Sequence, residues 1–252
     1  MSGTGLGDLE RQQFAPHGKM RIGIAFGKSI SGVWTMPDPE TGEPVGITVD
    51  LGAELARWLG LPFEYVKLAS SGEIIETANQ DRWDVAFTPV DADRKKVVDF
   101  TTDYYLGDST YLVHADSPFR SVKDVDLEGV RVLGVENTAT IRSARRTLMN
   151  TTAEGLNSLE DAIERFRRRD ADALALGRES LMGIARSLPD TRILDDHFHA
   201  TGTALAMAKG KAEALELATQ FIEEAKRDGL IEKIVLSHGL SASSVAPSGS
   251  RS

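Results

Sequence analysis

The side chain with the clearest chemical potential is Arg94, which follows a short apolar run and a polar turn. The run, residues 84–87, is too short for a helix and rich in valine and phenylalanine, so it predicts a buried strand. In α/β proteins, ligands bind beyond the carboxyl ends of such strands. A guanidinium placed there can hold a carboxylate through two parallel hydrogen bonds. The alternative is an internal ion pair of Arg94 with Asp91, Asp93 or Asp99.

The same stretch carries a resemblance to a known family. Its order of residue types resembles that of the solute-binding proteins of polar amino-acid ABC transporters, which have the type II periplasmic binding protein fold. The residues that carry the likeness are Asp84-Val85-Ala86-Phe87, Asp91-Ala92-Asp93-Arg94, Val97, Phe100-Thr101 and Tyr104-Tyr105. The likeness extends from about residue 21 to about residue 239, nearly the whole chain.

The resemblance implies a role for Arg94 and for its neighbours. In that family the corresponding arginine holds the α-carboxylate of the ligand. The residues that would flank it with hydroxyl and backbone groups are Thr88, Pro89 and Val90. Asn137 and Thr138 open the first helix of the second lobe, where free N–H groups favour an anion. Family members usually have Gly-Thr there, so the asparagine is a departure, and an ordinary helix N-cap is the alternative for Thr138.

A second departure concerns the acceptor for a ligand ammonium group. Amino-acid binders of this family often place an aspartate five residues after an Asp-Ala pair, and counting from Asp172 gives Gly177. The next residues are Arg178 and Glu179, so Glu179 could replace the missing acceptor. Otherwise the ligand lacks an ammonium group or carries a second acid for Arg178, unless Arg178 is only a solvated helix-start residue. Two cations facing one cleft predict that acidic or deaminated carboxylates bind better than neutral or basic amino acids.

The elements that must position these residues form an α/β protein. Apolar patterns predict strand–helix–strand–helix–strand over about residues 21–87, and a weaker echo of that order over about 130–176. We expect two similar lobes, each a mostly parallel sheet flanked by helices, joined by a two-strand hinge as in the resembling family. Lobe 1 should comprise residues 21–108 plus 207–240, and lobe 2 residues 109–206. Residues 1–20 should be a flexible tail and residues 241–252 a disordered one.

Two aromatic residues complete the predicted ligand site. Phe26 ends the first predicted strand, and Trp34 lies in the long loop over residues 31–44. Because long loops in compact domains are often functional, Trp34 is a candidate for ligand contact, and Phe26 is the second candidate. The alternative for Trp34 is packing within a surface loop. The next helix should begin at Asp50 as its N-cap and end before Gly60.

Composition narrows the function classes. A net charge of -9 argues against nucleic acid as a partner, and the absence of cysteine excludes disulfides and thiolate chemistry. No apolar run approaches the ~20 residues of a membrane span. The first 20 residues lack the apolar segment of a secretory signal, so the chain as written is expected to be cytoplasmic, or periplasmic if a signal was removed.

Catalytic motifs are sparse. The sequence has no Gly-x-Ser-x-Gly and no His-Glu-x-x-His, and His197 and His199 are interpreted as surface or hinge histidines in preference to a metal pair. We therefore expect a monomeric binding protein for an amino acid or related carboxylate, without catalytic residues, metal or cofactor, and possible association with ABC transporter membrane subunits. Two alternatives stay open: a dehydratase of the same fold that acts on cyclohexadienyl acids, and a cytoplasmic ligand sensor.

Overall fold

The computed structural model describes residues 6–26, 35–38, 40–136 and 138–252, which form two compact units. Unit 1 comprises Met1–Leu106 and Gly202–Ser252, and unit 2 comprises Gly107–Thr201. The chain therefore passes into unit 2 after Leu106 and returns to unit 1 at Gly202. Within the described ranges, no helix combines the length and the apolar character that a membrane crossing requires.

Unit 1 is built on a parallel sheet. Strands β1 (Met20–Ala25), β4 (Phe63–Leu68) and β5 (Val85–Pro89) are parallel in the order β4-β1-β5, and β11 (His199–Ala208) pairs antiparallel with β5. A small second sheet consists of β2 (Met36–Pro37) and β3 (Pro44–Val45). The helices are α1 (Asp8–Phe14), α2 (Ile47–Leu59), α3 (Ser71–Glu76), α4 (Arg94–Val97), α9 (Ala212–Arg227) and α10 (Leu230–Ser237), followed by a short 3-10 helix (Ala242–Ser244).

Unit 2 repeats this plan. Strand β6 (Val98–His114) begins in unit 1 and enters unit 2, where it pairs antiparallel with β9 (Ala173–Gly177) and β10 (Thr191–Ile193). Strands β7 (Val132–Val135) and β8 (Ala153–Leu156) complete a parallel set in the order β8-β7-β9. The helices are α5 (Val122–Val125), α6 (Ala139–Thr147), α7 (Leu159–Arg167) and α8 (Arg178–Ser187). In both units the first parallel strand lies between the second and the third. The predicted α/β class with mostly parallel sheets is confirmed.

One ion pair fixes the first strand of unit 1 to the third. The Asp84 carboxylate accepts the backbone N–H of Arg21 at 2.9 Å and its guanidinium through Nε at 3.0 Å and Nη2 at 2.9 Å. Arg21 also donates to the carbonyl oxygen of Asp81, a residue held in the left-handed region at φ 53°. The side chains of Asp84 and Arg21 are only 1% and 14% exposed, so water screens the pair weakly.

Unit 2 contains the same arrangement of contacts at the corresponding strands. The Asp172 carboxylate accepts the backbone N–H of Arg131 at 2.9 Å and its guanidinium through Nε at 3.1 Å and Nη2 at 2.9 Å. Arg131 Nη2 also donates to the carbonyl oxygen of Arg169, which has φ 62°. Here the two side chains are 32% and 55% exposed. The two units therefore share a local motif as well as a strand order.

Strand β5 illustrates how helices cover both faces of the sheet. Its Val85 and Phe87 side chains join a core cluster with residues of α2, α9 and α10, such as Leu55. Ala86 points to the opposite face and joins a cluster with Ile74 of α3. This alternation buries the strand on both sides and places its carboxyl end at a fixed edge of unit 1.

The expected flexible N-terminal tail is wrong for the part of it that the structure describes. Residues 8–14 form α1, and Phe14 is 0% exposed in the core of unit 1. Gln13 ties the helix to α9. Its side-chain Nε2 donates to Glu213 at 2.7 Å, and its backbone carbonyl oxygen accepts from Lys211 Nζ at 2.9 Å. One buried aromatic ring and these polar contacts order a segment whose composition looks like a tail.

Two further expectations need correction. Helix α2 begins at Ile47 after Gly46, so Asp50 lies inside its first turn and not at the N-cap. There its carboxylate contacts His238 Nε2 at 2.7 Å. The helix does end at Gly60, whose left-handed φ of 64° suits glycine. The expected disordered C-terminal tail is instead ordered along unit 1, where Ala246 is buried and its N–H donates to the Tyr104 carbonyl at 3.1 Å.

Candidate functional site

The candidate residues of unit 1 gather at the carboxyl edge of its parallel strands. Phe26 follows β1 directly, Ser71 begins α3 shortly after β4, and Thr88 lies near the end of β5. The three strands run in the same direction, so these positions share one edge of the sheet. Such an edge is where open α/β sheets bind ligands.

The Arg94 guanidinium spans this edge through hydrogen bonds to three residues. Its Nη1 donates to the buried Thr88 hydroxyl and to the Pro89 carbonyl oxygen at 2.9 Å, and its Nη2 donates to the Ser71 hydroxyl at 3.0 Å. One N–H of Nη2 has no acceptor among the residues that the structure describes. Because each of these contacts is a neutral oxygen, the terminal nitrogens retain their charge for an anion.

The ion-pair alternative for Arg94 is present in part. Its Nε lies 3.3 Å from Asp91 Oδ2, and burial lowers the pKa of the Arg94 guanidinium while the Asp91 charge opposes that shift. Asp93 pairs with Lys96 at 2.7 Å and Asp99 pairs with Lys209 at 2.8 Å, so neither of these aspartates is its partner. The Asp91 side chain is 55% exposed and also accepts the backbone N–H of Arg94. Asp91 therefore orients Arg94, but water screens its carboxylate and weakens its attraction for the guanidinium.

The three residues that should flank Arg94 have different environments. Thr88 is buried with its hydroxyl on the guanidinium, and Pro89 is exposed with its carbonyl oxygen on the same group. Val90 is buried in the core, and its N–H donates to the Gly202 carbonyl at 2.8 Å. The backbone donor of Val90 is therefore occupied within unit 1, whereas Thr88 and Pro89 orient the arginine.

Of the two candidate aromatic residues, one can be placed. Phe26 is half-buried, its N–H donates to the Leu68 carbonyl at 2.6 Å, and Lys67 Nζ lies 4.7 Å from its ring centroid. This contact holds a cation over the ring at the edge that carries Arg94. Trp34 lies outside the described residues.

In unit 2, Thr138 is the N-cap of α6. Its hydroxyl accepts the Ile141 N–H at 3.2 Å and donates to the Val135 carbonyl at 2.8 Å. The ordinary capping alternative therefore describes its contacts, and the role of Thr138 in ligand binding stays a prediction. Asn137 lies outside the described residues.

Arg178 is engaged by its own unit. Its Nε lies 3.4 Å from Asp108 Oδ2, and its Nη1 donates to the Leu194 carbonyl at 3.0 Å. Its Nη2 donates to the carbonyls of Asp195 and Asp196 at 2.9 and 3.2 Å. The guanidinium thus fastens the start of α8 to residues 194–196, and Asp108 balances its charge. These contacts occupy the Arg178 guanidinium within unit 2, and its role as a second cation for the ligand stays a prediction.

Glu179 lies where the usual ammonium acceptor is missing. A Cβ added to Gly177 would lie 3.6 Å from Glu179 Oε2, so the Glu179 carboxyl group occupies space next to that position. The residue is half-buried, and burial raises the pKa of its carboxyl group, while a hydrogen bond from its own N–H opposes that shift. A carboxylate that burial destabilises gains most from a nearby cation. Glu179 can therefore accept an ammonium group at the carboxyl end of β9.

His197 and His199 contact different partners in the part of the chain that the structure describes. His197 Nδ1 lies 3.7 Å from Asp108 Oδ2, and His199 Nε2 lies 3.0 Å from the Thr201 hydroxyl. Burial, helped by Arg146 and His197, lowers the pKa of His199. Throughout the described ranges, no group of three His, Asp or Glu side chains is placed to hold a metal ion.

Sequence reasoning missed one partner of a candidate residue in each unit. Ser71 accepts from Arg94 although the two are 23 positions apart, and Asp108 pairs with Arg178 across 70 positions. The Ser70-Ser71-Gly72 run indicated a turn after a strand, and its position at the carboxyl edge was the available signal for Ser71. Asp108 lies inside a strand, and its pairing depends on the antiparallel register of β6 and β9, which the sequence does not show.

Comparisons with known proteins find relatives in sequence and solved structures of similar fold. A glutamine-binding protein of Geobacillus stearothermophilus is 25% identical over 210 residues, which cover 82% of this chain and 79% of the relative. An ancestral cationic amino acid solute-binding protein has TM-score 0.70 and 22% identity, covering 92% of this chain and 99% of its own. An amino acid ABC transporter substrate-binding protein of Streptococcus pneumoniae bound to L-arginine has TM-score 0.65 and 20% identity, covering 90% and 97%.

The family itself is identified by a match over most of the sequence. Residues 34–240 match the sequence model of the bacterial extracellular solute-binding proteins, family 3. That range contains Arg94, Thr138 and Glu179, and it runs through both structural units. The chain therefore belongs to the bacterial extracellular solute-binding proteins, family 3.

Proposed function

We propose that this protein binds an amino acid and is the substrate-binding component of an ABC transporter, without performing chemistry on its ligand. The observation that carries the proposal is the Arg94 guanidinium at the carboxyl end of β5, held by neutral oxygens of Thr88, Pro89 and Ser71. Such a group can grip a carboxylate with a planar pair of N–H donors. We assign the α-carboxylate of the ligand to Arg94.

We assign the α-ammonium group to Glu179. Its half-buried carboxyl group lies beside Gly177, and burial raises its pKa. The neighbouring cation, Arg178, is balanced by Asp108 and does not compete for the acidic part of a ligand. An ordinary or basic amino acid therefore fits this unit better than a dicarboxylate, which reverses the preference expected from the sequence.

The experiment that tests the proposal is a thermal-shift screen of the purified protein. The panel should hold L-glutamine, L-histidine, L-arginine and L-lysine, with L-glutamate, L-aspartate and succinate as acidic comparisons. A ligand at 100 times its dissociation constant stabilises the folded protein by about 2.7 kcal/mol, which raises the Tm by several degrees. We expect at least one neutral or basic amino acid to do so. Stabilisation by the acidic compounds alone would show that the protein prefers acidic ligands and would contradict the assignment of the ammonium group to Glu179.

The dehydratase alternative draws on one observation. The raised pKa of Glu179 is what a general acid requires, and such an acid could act on a cyclohexadienyl substrate. Incubation with prephenate at mildly acidic pH separates the two activities. We expect no turnover, and steady formation of product that disappears in the Glu179→Gln variant would establish an enzyme.

The place of action belongs to the same proposal. Members of the family are extracellular proteins of bacteria, and a binding component meets its ligand outside the cytoplasmic membrane. We propose export of the native protein and contact with the membrane subunits of a transporter. Fractionation of the source cells, with detection by antibody, tests this location. Recovery in the cytosol together with a cytosolic partner in a pulldown would favour the sensor alternative.

A further inference from the structure

The family match ends at residue 240, and the residues after it are ordered and pack against unit 1. We name residues 245–252 the C-terminal strap. At its start, Val245 forms an antiparallel bridge with Tyr105, and the Ala246 N–H donates to the Tyr104 carbonyl at 3.1 Å. Ala246 is 2% exposed. The strap therefore follows the backbone of β6.

The middle of the strap is fastened to α9 through Glu223. The Ser248 hydroxyl and the Gly249 N–H donate to Glu223 Oε2 at 2.6 and 3.1 Å. The Thr102 hydroxyl of β6 donates to the other oxygen of the same carboxylate at 2.5 Å. Burial alone would raise the pKa of Glu223, but hydrogen bonds from Lys226, Ser248, Thr102 and Gly249 lower it to about 2. One carboxylate thus joins the strap, α9 and β6.

The end of the strap surrounds Asp103. The Asp103 N–H donates to the Ser250 carbonyl at 2.9 Å, and Asp103 Oδ2 accepts from the hydroxyls of Ser250 and Ser252 at 3.1 and 2.9 Å. Asp103 is 1% exposed. A Cβ added to Gly202 would lie 2.5 Å from Asp103 Cγ and would overlap the Ser252 hydroxyl. An alanine at position 202 would therefore have to displace the Ser252 and Asp103 side chains.

These contacts fall at the two points where the chain leaves and re-enters unit 1. Strand β6 leaves after Leu106, just beyond the strapped residues 103–105, and the chain returns at Gly202. We propose that the C-terminal strap is a latch on the two strands at which the chain leaves and re-enters unit 1. While the strap is bound it restrains both strands, and it detaches by local unfolding. Small polar side chains hold it and few apolar groups are buried, so it should open at a lower free energy than the core. This inference goes beyond ligand binding, and its test needs no ligand.

The test is native-state hydrogen exchange of the full chain, followed at the amides of Asp103 and Ala246. We expect these two amides to exchange at similar rates, and faster than the Phe87 amide in the buried strand β5. In a chain that ends at Pro247, the Asp103 amide loses its acceptor and should exchange at least about tenfold faster. Exchange of Asp103 at the rate of Phe87, or no change on truncation, would overturn the proposal.

Two point variants keep the test informative if truncation impairs folding. The Ser250→Ala/Ser252→Ala double variant should accelerate Asp103 exchange, and Gly202→Ala should do the same by displacing Ser252. Ser237→Ala is the matched control, because that hydroxyl donates only to the Ile234 carbonyl of its own helix. The double variant should also lower the Tm by about 2–8 °C, as expected for the loss of two hydrogen bonds. An unchanged exchange rate of the Asp103 amide in both variants would contradict the proposal that the strap is a latch.

Discussion

Arg94 is the residue whose removal should weaken ligand binding most. Arg94→Ala leaves the ligand carboxylate without its charged partner, which costs about 2–5 kcal/mol for a buried charge pair. That corresponds to an affinity loss of roughly thirtyfold to several thousandfold. Isothermal titration calorimetry with the best ligand of the thermal-shift panel measures the loss.

Two variants sharpen that prediction. Arg94→Lys should recover little affinity, because a point charge cannot replace the planar pair of donors that Ser71 and Thr88 hold in place. Arg57→Ala is the control, since Arg57 is an exposed residue of unit 1 paired with Glu54 on α2. Near-native affinity of Arg94→Ala would mean that Arg94 serves only its contact with Asp91.

Glu179 should make stability depend on pH in a defined direction. Its pKa is raised in the folded protein above the ordinary 4.5, so the neutral carboxyl group is favoured there. The stability that this group provides is present below the unfolded pKa and is lost as pH rises through the folded pKa. The Glu179→Gln variant should therefore have roughly the wild-type Tm near pH 4, and its Tm should exceed that of the wild type increasingly as the pH rises toward about 7.

Ligand binding should reverse the pKa shift of Glu179. An ammonium group beside the carboxylate favours its charged form, so binding at mildly acidic pH should release protons. Calorimetry in two buffers with different ionisation enthalpies measures this release, and Glu179→Gln should abolish it. Equal proton release in the variant would place the ammonium group elsewhere.

At the scale of the element, the two Arg–Asp pairs offer a matched comparison. The contacts of Asp84 with Arg21 and of Asp172 with Arg131 are nearly identical in length, but the first pair is buried and the second is partly exposed. Asp84→Asn should destabilise the protein by about 3–5 kcal/mol, the usual cost of breaking a buried pair. Asp172→Asn should cost about 0–1 kcal/mol.

Urea denaturation of both variants measures the two costs. Because the Arg–Asp contacts have the same lengths, a difference in cost reports the different surroundings of the two carboxylates: the burial of Asp84 and its second cation, Lys211, whose Nζ lies 3.8 Å from Asp84 Oδ1. Equal costs would show that strand anchoring by the backbone N–H contacts, present in both units, outweighs the difference in exposure.

The elements also show where sequence patterns succeed and fail. Periodicity and capping signals predicted the strand–helix order of each unit, because these signals depend on neighbouring residues. The start of α2 was placed at Asp50 from its cap preference, yet the helix begins at Ile47 after Gly46, and Asp50 contacts His238 near the other end of the chain. Strand β6 extends over residues 98–114 although only its second half has the typical β pattern. Tertiary contacts decide such cases, and the sequence alone does not display them.

At the scale of the whole molecule, the repeated βαβαβ order predicted the α/β class, since it follows from local patterns in each half. The ordered ends could not be predicted in the same way. Helix α1 depends on Phe14 entering a core made by residues far along the chain, and the strap depends on Asp103 and Glu223. Composition alone makes both ends look like tails. Arg94 was found from its position after a strand, whereas the engagement of Arg178 depended on Asp108.

The most direct measurement is a calorimetric titration of the wild-type protein with an L-amino acid and with its deaminated analogue. The L-amino acid is the best ligand among L-glutamine, L-histidine, L-arginine and L-lysine, and the analogue keeps its carboxylate and side chain. If Arg94 holds the carboxylate and Glu179 the ammonium group, the amino acid binds and the analogue binds at least about thirtyfold more weakly. Equal affinity for the two compounds, or no binding of any amino acid in the panel, would contradict an amino-acid-binding function with these two anchors.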